Sequence, residues 1–259
     1  MTAEKIAVYA EQLFTAEQNR RPVAPLTEQD GSLTIDDAYA IQLANVERVV
    51  KMGHVISGKK IGLTSEGIQK QMGVGEPDYG HLFAAMDCKD GKIPTADLMQ
   101  AKIEGEIAFI LKADLSGGGI TREAVIAATD YVVAAFEIVD SRIAGWKIKL
   151  VDTVSDNASS GRYVLGSKKT PLSEVDLPLV SMKLFKNGNL AGEGTGAAVL
   201  GDPCVSVAWL ANRLNSYGVT LKAGEVILSG AFSAAPPAVK GDRFTAEFST
   251  LGRVEAEFV

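Results

Sequence analysis

The apolar residues at the start of the chain recur at helical spacing. Ile6, Ala10 and Leu13 fall on one face of a helix predicted over residues 3–19. The same periodicity returns over residues 35–52, where a capping threonine stands before the pattern and a glycine follows it. We therefore predict that the chain begins with an N-terminal helical region.

After about residue 100 the apolar residues form short runs that are typical of strands. Helical patterns in this part occupy only residues 121–130 and 204–217. Many strands with few intervening helices favour an α+β fold around a mixed, largely antiparallel sheet over a doubly wound parallel one. The predicted strands are 55–63, 102–112, 131–140, 162–166, 180–186, 225–229, 243–248 and 253–259.

Composition and charge exclude several classes of protein. The 259 residues are 46% hydrophobic and 22% charged, which is ordinary for a globular protein, and the formal net charge is −6. An acidic chain without a basic face is not expected to bind nucleic acid. No apolar run is long enough to span a membrane, and the N-terminus lacks the apolar core of a signal peptide. With only two cysteines and no disulfide framework, we expect a cytoplasmic protein.

Histidine is scarce in this chain, and that limits the chemistry it can perform. The two histidines, His54 and His81, are too few for a metal site of three histidines. They also argue against a Ser-His-Asp hydrolase, because the catalytic base would have to be one of these two. The common motifs of nucleotide-binding proteins and serine esterases are absent as well. An enzyme of this composition would depend on carboxylates, lysines and a hard metal ion.

Two glutamates stand one residue apart in the strand predicted over residues 102–112. Because side chains alternate between the faces of a strand, Glu104 and Glu106 share one face, and Ile103 and Ile107 point to the other. Two oxygen donors on a rigid strand suit Mg²⁺ or Mn²⁺ better than zinc. The alternative is a solvent-facing sheet edge that carries two ordinary glutamates.

A third glutamate lies in a run of residues that is otherwise almost entirely apolar. Glu137 falls within residues 131–139, and a glutamate is almost never fully buried unless it is paired. A metal ion shared with Glu104 and Glu106 would satisfy its charge. The alternative is an ion pair with Arg142 or Lys147.

Other polar segments of the chain are open to two interpretations. Lys59 and Lys60 fall on opposite faces of the strand predicted over residues 55–63, so one of them faces inward if the sheet is covered, and an inward lysine suggests function. Residues 75–81 and 151–160 are rich in polar residues and are either ligand-binding loops or plain turns.

Six motifs together resemble the 2-keto-4-pentenoate hydratases and the closely similar 4-oxalocrotonate decarboxylases of the fumarylacetoacetate hydrolase superfamily. The resemblance extends over nearly the whole chain. It implies a β-sheet roll of the type found in the C-terminal domain of that superfamily. It also implies a division into an N-terminal helical region, residues 1–54, and a catalytic β-rich domain, residues 55–259. The motifs are G-x-K-I-G-L-T-S at 58–65, E-P-D-Y-G at 76–80, I-E-x-E-I-A-F at 103–109, E-I-V-D-S-R at 137–142, D-N-A-S-S at 156–160 and G-A-A-V-L-G-x-P at 196–203.

The resemblance also implies roles for particular residues. It implies that Mg²⁺ or Mn²⁺ is held by Glu104, Glu106 and Glu137. It implies proton transfer by Lys60 and Asp78, and substrate contacts from Leu63, Asn157 and Ser160. The chain departs from the family at residues 201–203, where Gly-Asp-Pro replaces the common Gly-His-Pro.

The activity implied by the resemblance is a hydro-lyase of aromatic meta-cleavage catabolism. Its substrate would be a small 2-hydroxy-2,4-dienoate, or the 2-oxo-4-pentenoate tautomer, and its product a 4-hydroxy-2-oxo acid. Decarboxylation of 4-oxalocrotonate, 2-oxo-3-hexenedioate, is the first alternative. Two others are hydrolysis of an acylpyruvate, for which a His-Glu pair is lacking, and a non-catalytic subunit that binds small oxo acids. We expect a homo-oligomer, and association with a related pathway enzyme is left open.

Overall fold

The computed structural model describes the backbone of residues 1–259 and every side chain except those of Ile68, Gln71 and Met72. It contains seven α-helices and eleven β-strands in its described backbone. The helices are α1 (Ala3–Asn19), α2 (Leu26–Gln29), α3 (Ile35–Lys51), α4 (Glu66–Met72), α5 (Arg122–Ala128), α6 (Leu150–Ser155) and α7 (Pro203–Asn215). The strands are β1 (Ile56–Gly62), β2 (Asp78–Phe83), β3 (Lys92–Ile93), β4 (Lys102–Leu111), β5 (Thr129–Val139), β6 (Ser160–Leu165), β7 (Ser181–Lys186), β8 (Asn189–Thr195), β9 (Val226–Leu228), β10 (Arg243–Phe248) and β11 (Gly252–Phe258).

The strands form two mixed sheets, which confirms the predicted α+β class. Six strands pair in the order β2-β1-β9-β4-β5-β6, and only the β1–β9 pair is parallel. Five strands pair in the order β3-β11-β10-β7-β8, and only the β3–β11 pair is parallel. The sheets approach closely at Gly105, where a Cβ atom would lie 3.2 Å from Met182 and 3.7 Å from Ala246.

The six-stranded sheet curls until its two edges meet. The side-chain amide of Asn157, just before β6, accepts a hydrogen bond from the backbone N–H of His81 at 2.7 Å. The Asn157 amide also donates a hydrogen bond to the carbonyl oxygen of His81 at 2.9 Å, so it links the β6 end of the sheet to β2. The concave face holds an apolar cluster that is drawn from both edges and the middle of the sheet. Its buried members are Leu82, Ala108, Val133, Ala135, Tyr163 and Leu228.

The N-terminal helices cover one side of this sheet. Their limits match the predicted helices within one residue, and Thr34 begins α3 with a capping box that Asp37 completes. Leu13 and Ile41 pack with Ile143, which belongs to the β-rich part of the chain. The division at residue 54 stays a prediction.

No helix in the described part of the chain combines the length and the apolar character needed to cross a membrane.

Several segments differ from the predicted elements, and three of them are informative. Residues 78–83, which overlap the segment 75–81 that was left open as a loop or a turn, form β2, whose six residues are all buried and therefore show no alternating pattern. Residues 150–155 form α6 instead of a loop. Strand β8 was not predicted because its sequence, NLAGEGT, has almost no apolar side chains.

Candidate active site

Three glutamates converge on the concave face of the six-stranded sheet. Glu104 on β4 lies directly opposite Glu137 on β5 in the antiparallel register, and Glu106 follows on the same face two residues later. One carboxylate oxygen from each residue lies within 4.8 Å of those of the other two. The strand alternation that predicted the common face of Glu104 and Glu106 therefore agrees with the structure, and Glu137 joins them across the ladder.

Three buried oxygens of this cluster accept no hydrogen bond from the described residues. Glu106 and Glu137 are 0% exposed. Oε2 of Glu106 accepts a hydrogen bond from the backbone N–H of Gly230 at 2.8 Å. Its Oε1 and both oxygens of Glu137 accept none from the described groups. Buried anionic oxygens without donors require a cation, and a set made only of carboxylates fits Mg²⁺ or Mn²⁺.

Lys60 supplies one positive charge to the three carboxylates. Its Nζ lies 3.2 Å from Oε1 of Glu137, and the residue is buried. Burial alone lowers the pKa of Lys60, but the negative charges of Glu137 and Asp78 outweigh it and hold the pKa above its usual value. Lys60 therefore remains protonated. One ammonium group cannot neutralise three carboxylates.

The pKa values of the glutamates reflect the same excess of negative charge over positive charge. Burial raises the pKa of Glu137 to about 7, although Lys60 opposes the rise. Burial, followed by the charges of Glu137 and Glu104, raises the pKa of Glu106 well above its usual range. The pKa of Glu104 is also raised, chiefly by burial. A divalent cation would let all three carboxylates ionise together at neutral pH.

Asp78 stands beside Lys60 at the first position of β2. Its Oδ1 is buried and has no hydrogen-bond donor among the described residues. Gly62 makes room for both groups, since a Cβ atom there would lie 2.3 Å from Oδ1 of Asp78 and 3.3 Å from Nζ of Lys60. Burial raises the pKa of Asp78, and Lys60 and the backbone N–H of Gly62 oppose the rise. The structure thus brings the two residues predicted for proton transfer together, next to the glutamates.

A turn after β9 orients Glu106 through a contact that was not predicted from the sequence. Gly230 has φ of 120°, and a Cβ atom at this position would lie 2.3 Å from Oγ1 of Thr64. Ser229 anchors the turn by donating a side-chain hydrogen bond to the carbonyl oxygen of Ile107 at 2.9 Å. Only glycine fits this backbone and lets its N–H reach Glu106. The Ser-Gly pair that follows a predicted strand was the available signal.

Lys59 points away from the carboxylates, as the alternation predicts. Its Nζ lies 2.9 Å from Oε1 of Glu225 on the opposite face of the sheet. Both lysines are buried, at 3% exposure each, although the sequence required only one to face inward. Lys59 thus has its own carboxylate partner, whereas Lys60 belongs to the glutamate cluster.

The residues predicted to contact substrate occupy two places. Leu63 follows β1 with a left-handed φ of 57°, and its carbonyl oxygen accepts a hydrogen bond from the side chain of Gln69 at 2.7 Å. The Asn157 amide holds the backbone of His81, and the Ser160 hydroxyl donates to the carbonyl oxygen of Asn157 at 2.8 Å. The side chains of Asn157 and Ser160 already have protein partners, and contact of the three residues with a substrate stays a prediction.

A cavity of about 350 Å³ lies away from the three glutamates. It is enclosed by α1, α3 and the turn at Asn157 and Ser160. Neither the glutamates nor Lys60 and Asp78 line it. We assign the chemistry to the glutamate cluster, because three carboxylates there share a single ammonium group.

The alternative partners of Glu137 are wrong, and one of them, Lys147, is exposed whereas Glu137 is fully buried. Glu137 faces Lys60, whereas Arg142 pairs with Asp156 and also donates to the carbonyl oxygen of Asp140 at 2.9 Å. At residues 201–203 the chain has Gly-Asp-Pro in place of the Gly-His-Pro that is common in the family, and the structure gives the aspartate a role. The Asp202 side chain caps α7 by accepting a hydrogen bond from the backbone N–H of Cys204 at 2.8 Å.

Comparison with known proteins places these features in a family. The model of the fumarylacetoacetate (FAA) hydrolase C-terminal domain matches residues 84–259. The 2-hydroxyhexa-2,4-dienoate hydratase of Comamonas testosteroni is 45% identical over 256 residues, which are 98% of this chain and 97% of that protein. The 2-keto-4-pentenoate hydratase of Paraburkholderia xenovorans is 47% identical over 261 residues, which are 100% of this chain and 96% of that protein.

Solved structures agree with the sequence comparison. The 4-oxalocrotonate decarboxylase from Pseudomonas putida G7, complexed with magnesium and adipate, matches with a TM-score of 0.96 at 39% identity. The match covers 100% of this chain and 99% of that chain. Fumarylpyruvate hydrolase from Pseudomonas aeruginosa, in complex with Mn²⁺ and pyruvate, has a TM-score of 0.62 at 13% identity over 78% of this chain and 88% of that chain, and shares the fold alone. The chain belongs to the fumarylacetoacetate hydrolase family, in the group that contains 2-keto-4-pentenoate hydratases and 4-oxalocrotonate decarboxylases.

Proposed function

We propose that the protein is a metal-dependent lyase that adds water to 2-hydroxypenta-2,4-dienoate, the enol of 2-oxo-4-pentenoate. The product is a 4-hydroxy-2-oxo acid. The observation that carries the proposal is the group of Glu104, Glu106 and Glu137, with unpaired buried oxygens, beside Lys60 and Asp78. The hydratases at 45% and 47% identity support this reaction over others of the family.

The three glutamates would hold Mg²⁺ or Mn²⁺. Their oxygens satisfy the preference of hard divalent cations, and Glu106 and Glu137 are held in buried positions. When bound, the metal ion would act as a Lewis acid that stabilises negative charge on the C2 oxygen of the substrate. The backbone N–H of Gly230 fixes the orientation of Glu106 for this role.

Lys60 holds a permanent positive charge next to the place where the oxo acid binds. Its pKa is raised by the surrounding carboxylates, so it acts as a hydrogen-bond donor and a fixed charge. The ammonium group orients Glu137 through the 3.2 Å contact. It also favours the ionised form of Asp78, whose pKa it lowers against the effect of burial.

Asp78 is the residue suited to move a proton. Burial raises the pKa of the Asp78 carboxyl towards neutral pH. Its Oδ1, which accepts no hydrogen bond from the described residues, can accept a proton from water or return one to a substrate carbon. General acid–base catalysis of this kind contributes about 10²- to 10⁴-fold in rate. Asp78 would direct water to C4 once the substrate has been protonated at its distal carbon.

Decarboxylation of 2-oxo-3-hexenedioate is the second candidate function. It is favoured by the TM-score of 0.96 to 4-oxalocrotonate decarboxylase. The same lysine, aspartate and glutamates would serve either reaction, because both pass through a dienolate of the same kind. The lower identity of 39%, against 45% and 47% for the two hydratases, places this reaction second.

We also propose that the protein assembles as a homo-oligomer.

The test is incubation with each substrate in the presence of Mg²⁺. We expect loss of the dienoate absorbance of 2-hydroxypenta-2,4-dienoate and formation of a 4-hydroxy-2-oxo acid. Release of CO₂ from 2-oxo-3-hexenedioate, without hydration of the dienoate, would establish the second candidate instead. Metal-dependent turnover of neither compound would refute the proposed function.

A further inference from the structure

Lys102 stands at the open end of the strand face that carries two of the glutamates. Lys102, Glu104 and Glu106 occupy alternate positions of β4 and therefore share its concave face. Lys102 and Glu104 are half-buried, whereas Glu106 is 0% exposed. Beyond Glu106 the face is closed by the apolar cluster that contains Ala108 and Leu228. A ligand therefore reaches the carboxylates from the end of β4 at which Lys102 lies.

A tryptophan holds the Lys102 ammonium group at this entrance. Nζ of Lys102 lies 4.2 Å from the centroid of the Trp146 ring, which is a cation–π contact. The indole N–H of Trp146 donates a hydrogen bond to the carbonyl oxygen of Gln100 at 2.9 Å. The Gln100 side chain also accepts a hydrogen bond from the backbone N–H of Gly145 at 2.6 Å. The turn that carries Trp146 is thereby fixed to the residues just before β4, and the ammonium group has a defined place.

The charge of Lys102 is not cancelled by an ion pair. In the described part of the chain no carboxylate lies within ion-pair distance of its Nζ, whereas Lys60 is paired with Glu137. A cation–π contact orients an ammonium group but leaves its net charge in place. Glu104, the next residue on the same face, follows about 7 Å along the strand, as the strand rise requires. An anion that enters from this end would therefore meet an uncompensated positive charge before it meets the carboxylates.

The charges around the proposed metal ion explain why a cation is needed at the entrance. The three glutamates and Asp78 carry four negative charges when they are ionised, and Lys60 carries one positive charge. A divalent cation would leave this group with one excess negative charge, which repels the carboxylate of an oxo acid. Lys102 offsets that excess on the side from which the acid enters.

We infer that Lys102 is an entrance residue that attracts the anionic oxo acid to the metal-loaded site, and that Trp146 positions its ammonium group. This inference rests on the proposed function, because it takes the metal ion to be held by the three glutamates. Lys102 acts by its charge and takes no part in proton transfer. A charge in such a place changes the association of the anion and the dependence of that association on salt, and leaves the chemical step alone.

One substitution should shift the binding of an anion and the binding of a cation in opposite directions. In Lys102→Met at low ionic strength, calorimetry should show that the Mg²⁺-loaded protein binds 2-oxopentanoate, a saturated analogue without the double bond, about fivefold more weakly. The affinity of the metal-free protein for Mn²⁺ should rise about threefold, because a positive charge near the glutamates is gone. Both shifts should shrink in about 0.5 M salt. Lys102→Arg keeps the charge and should keep both affinities near those of the wild type.

Lys112 provides the matched control, since it is exposed and follows the opposite end of the same strand. Lys112→Met removes the same charge and should change neither affinity. Trp146→Leu should produce both shifts at a smaller size, because the ammonium group keeps its charge but loses its support.

A purely structural role for Lys102 would weaken the binding of both ligands together in Lys102→Met. That result, unchanged affinities in Lys102→Met, or the same two shifts in Lys112→Met would overturn the inference while leaving the metal site in place. A wild type that fails to bind Mn²⁺ or, once loaded with Mg²⁺, fails to bind the oxo acid would refute the proposed function itself, and the role of Lys102 with it.

Discussion

Glu104 and Glu137 face each other directly across the ladder between β4 and β5. Two like charges in this position destabilise a sheet, and Glu106 on the same face adds a third. The only cation paired with Glu137 among the described residues is Lys60. A fold selected for stability alone would not keep this arrangement. The arrangement is explained if a divalent cation completes it.

The first prediction follows from this repulsion. In Glu106→Gln, we expect the affinity for Mn²⁺, measured by calorimetry or electron paramagnetic resonance, to fall at least about a hundredfold. The metal-free variant should at the same time melt at a higher temperature than the metal-free wild type, because one buried negative charge is gone. The exposed Glu247 provides the control, and Glu247→Gln should change neither quantity. Unchanged Mn²⁺ affinity in Glu106→Gln would contradict the three-glutamate site.

The second prediction is that metal binding releases protons. Burial raises the pKa of Glu137 to about 7 and that of Glu106 well above its usual range, so the metal-free site carries protons at neutral pH. A bound cation requires the ionised carboxylates, and so the affinity should fall as the pH drops through 7. Calorimetry at pH 7 in two buffers of different ionisation enthalpy should report release of about one proton. Binding with no proton exchange would show that the glutamates are already ionised.

The face shared by the glutamates could be predicted from the sequence, but their register could not. Strand alternation is a local property, so the spacing of Glu104 and Glu106 is enough to predict that they share one face of β4. The pairing of Glu104 with Glu137 is set by how β4 and β5 meet, which depends on the whole sheet. The Gly230 contact to Glu106 joins residues 124 positions apart, and its signal in the sequence was only the Ser-Gly pair at residues 229–230.

The segment around Asn157 shows why local patterns failed elsewhere. Asn157, Ala158 and Ser159 have φ of 53°, 50° and 54°, a run of left-handed conformations that non-glycine residues rarely adopt. Asn157 tolerates this conformation, but nothing in the sequence indicates it for Ala158. Arg142 holds the turn through Asp156 and the carbonyl oxygen of Ser160, so tertiary contacts override the local preference.

The third prediction contrasts two neighbouring lysines. Lys60→Ala should lower the rate of hydration by at least about a hundredfold, because it removes the charge beside Glu137 and Asp78. Lys59→Ala should leave the turnover of the folded enzyme near that of the wild type. It should lower the free energy of unfolding by about 3 kcal/mol, because Glu225 loses its buried partner. Steady-state kinetics and urea denaturation measure the two effects, and the reverse pattern would show that the wrong lysine has been assigned.

The fourth prediction concerns the pH dependence of stability. Burial, reinforced by the charge of Lys59, lowers the pKa of His81 from 6.5 to about 3. Between these values the unfolded chain binds a proton that the folded protein does not, so stability falls as the pH falls below 6.5. From pH 7 to pH 5 this residue should cost about 2 kcal/mol of unfolding free energy. Urea denaturation of His81→Gln should show that part of the slope removed, and parallel pH profiles for variant and wild type would refute the assignment.

The last prediction separates proton transfer at Asp78 from metal binding. Asp78→Asn keeps the shape of the side chain beside Gly62 and Lys60 but cannot accept a proton from water. We expect hydration of 2-hydroxypenta-2,4-dienoate to slow by about a hundredfold or more, while the affinity for Mn²⁺ stays within about twofold. Exchange of substrate protons with deuterated water, followed by nuclear magnetic resonance, should persist in part, because Lys60 and the glutamates remain. Joint loss of hydration and Mn²⁺ binding would instead make Asp78 a structural support of the glutamate cluster, and hydration at the wild-type rate would exclude it from proton transfer.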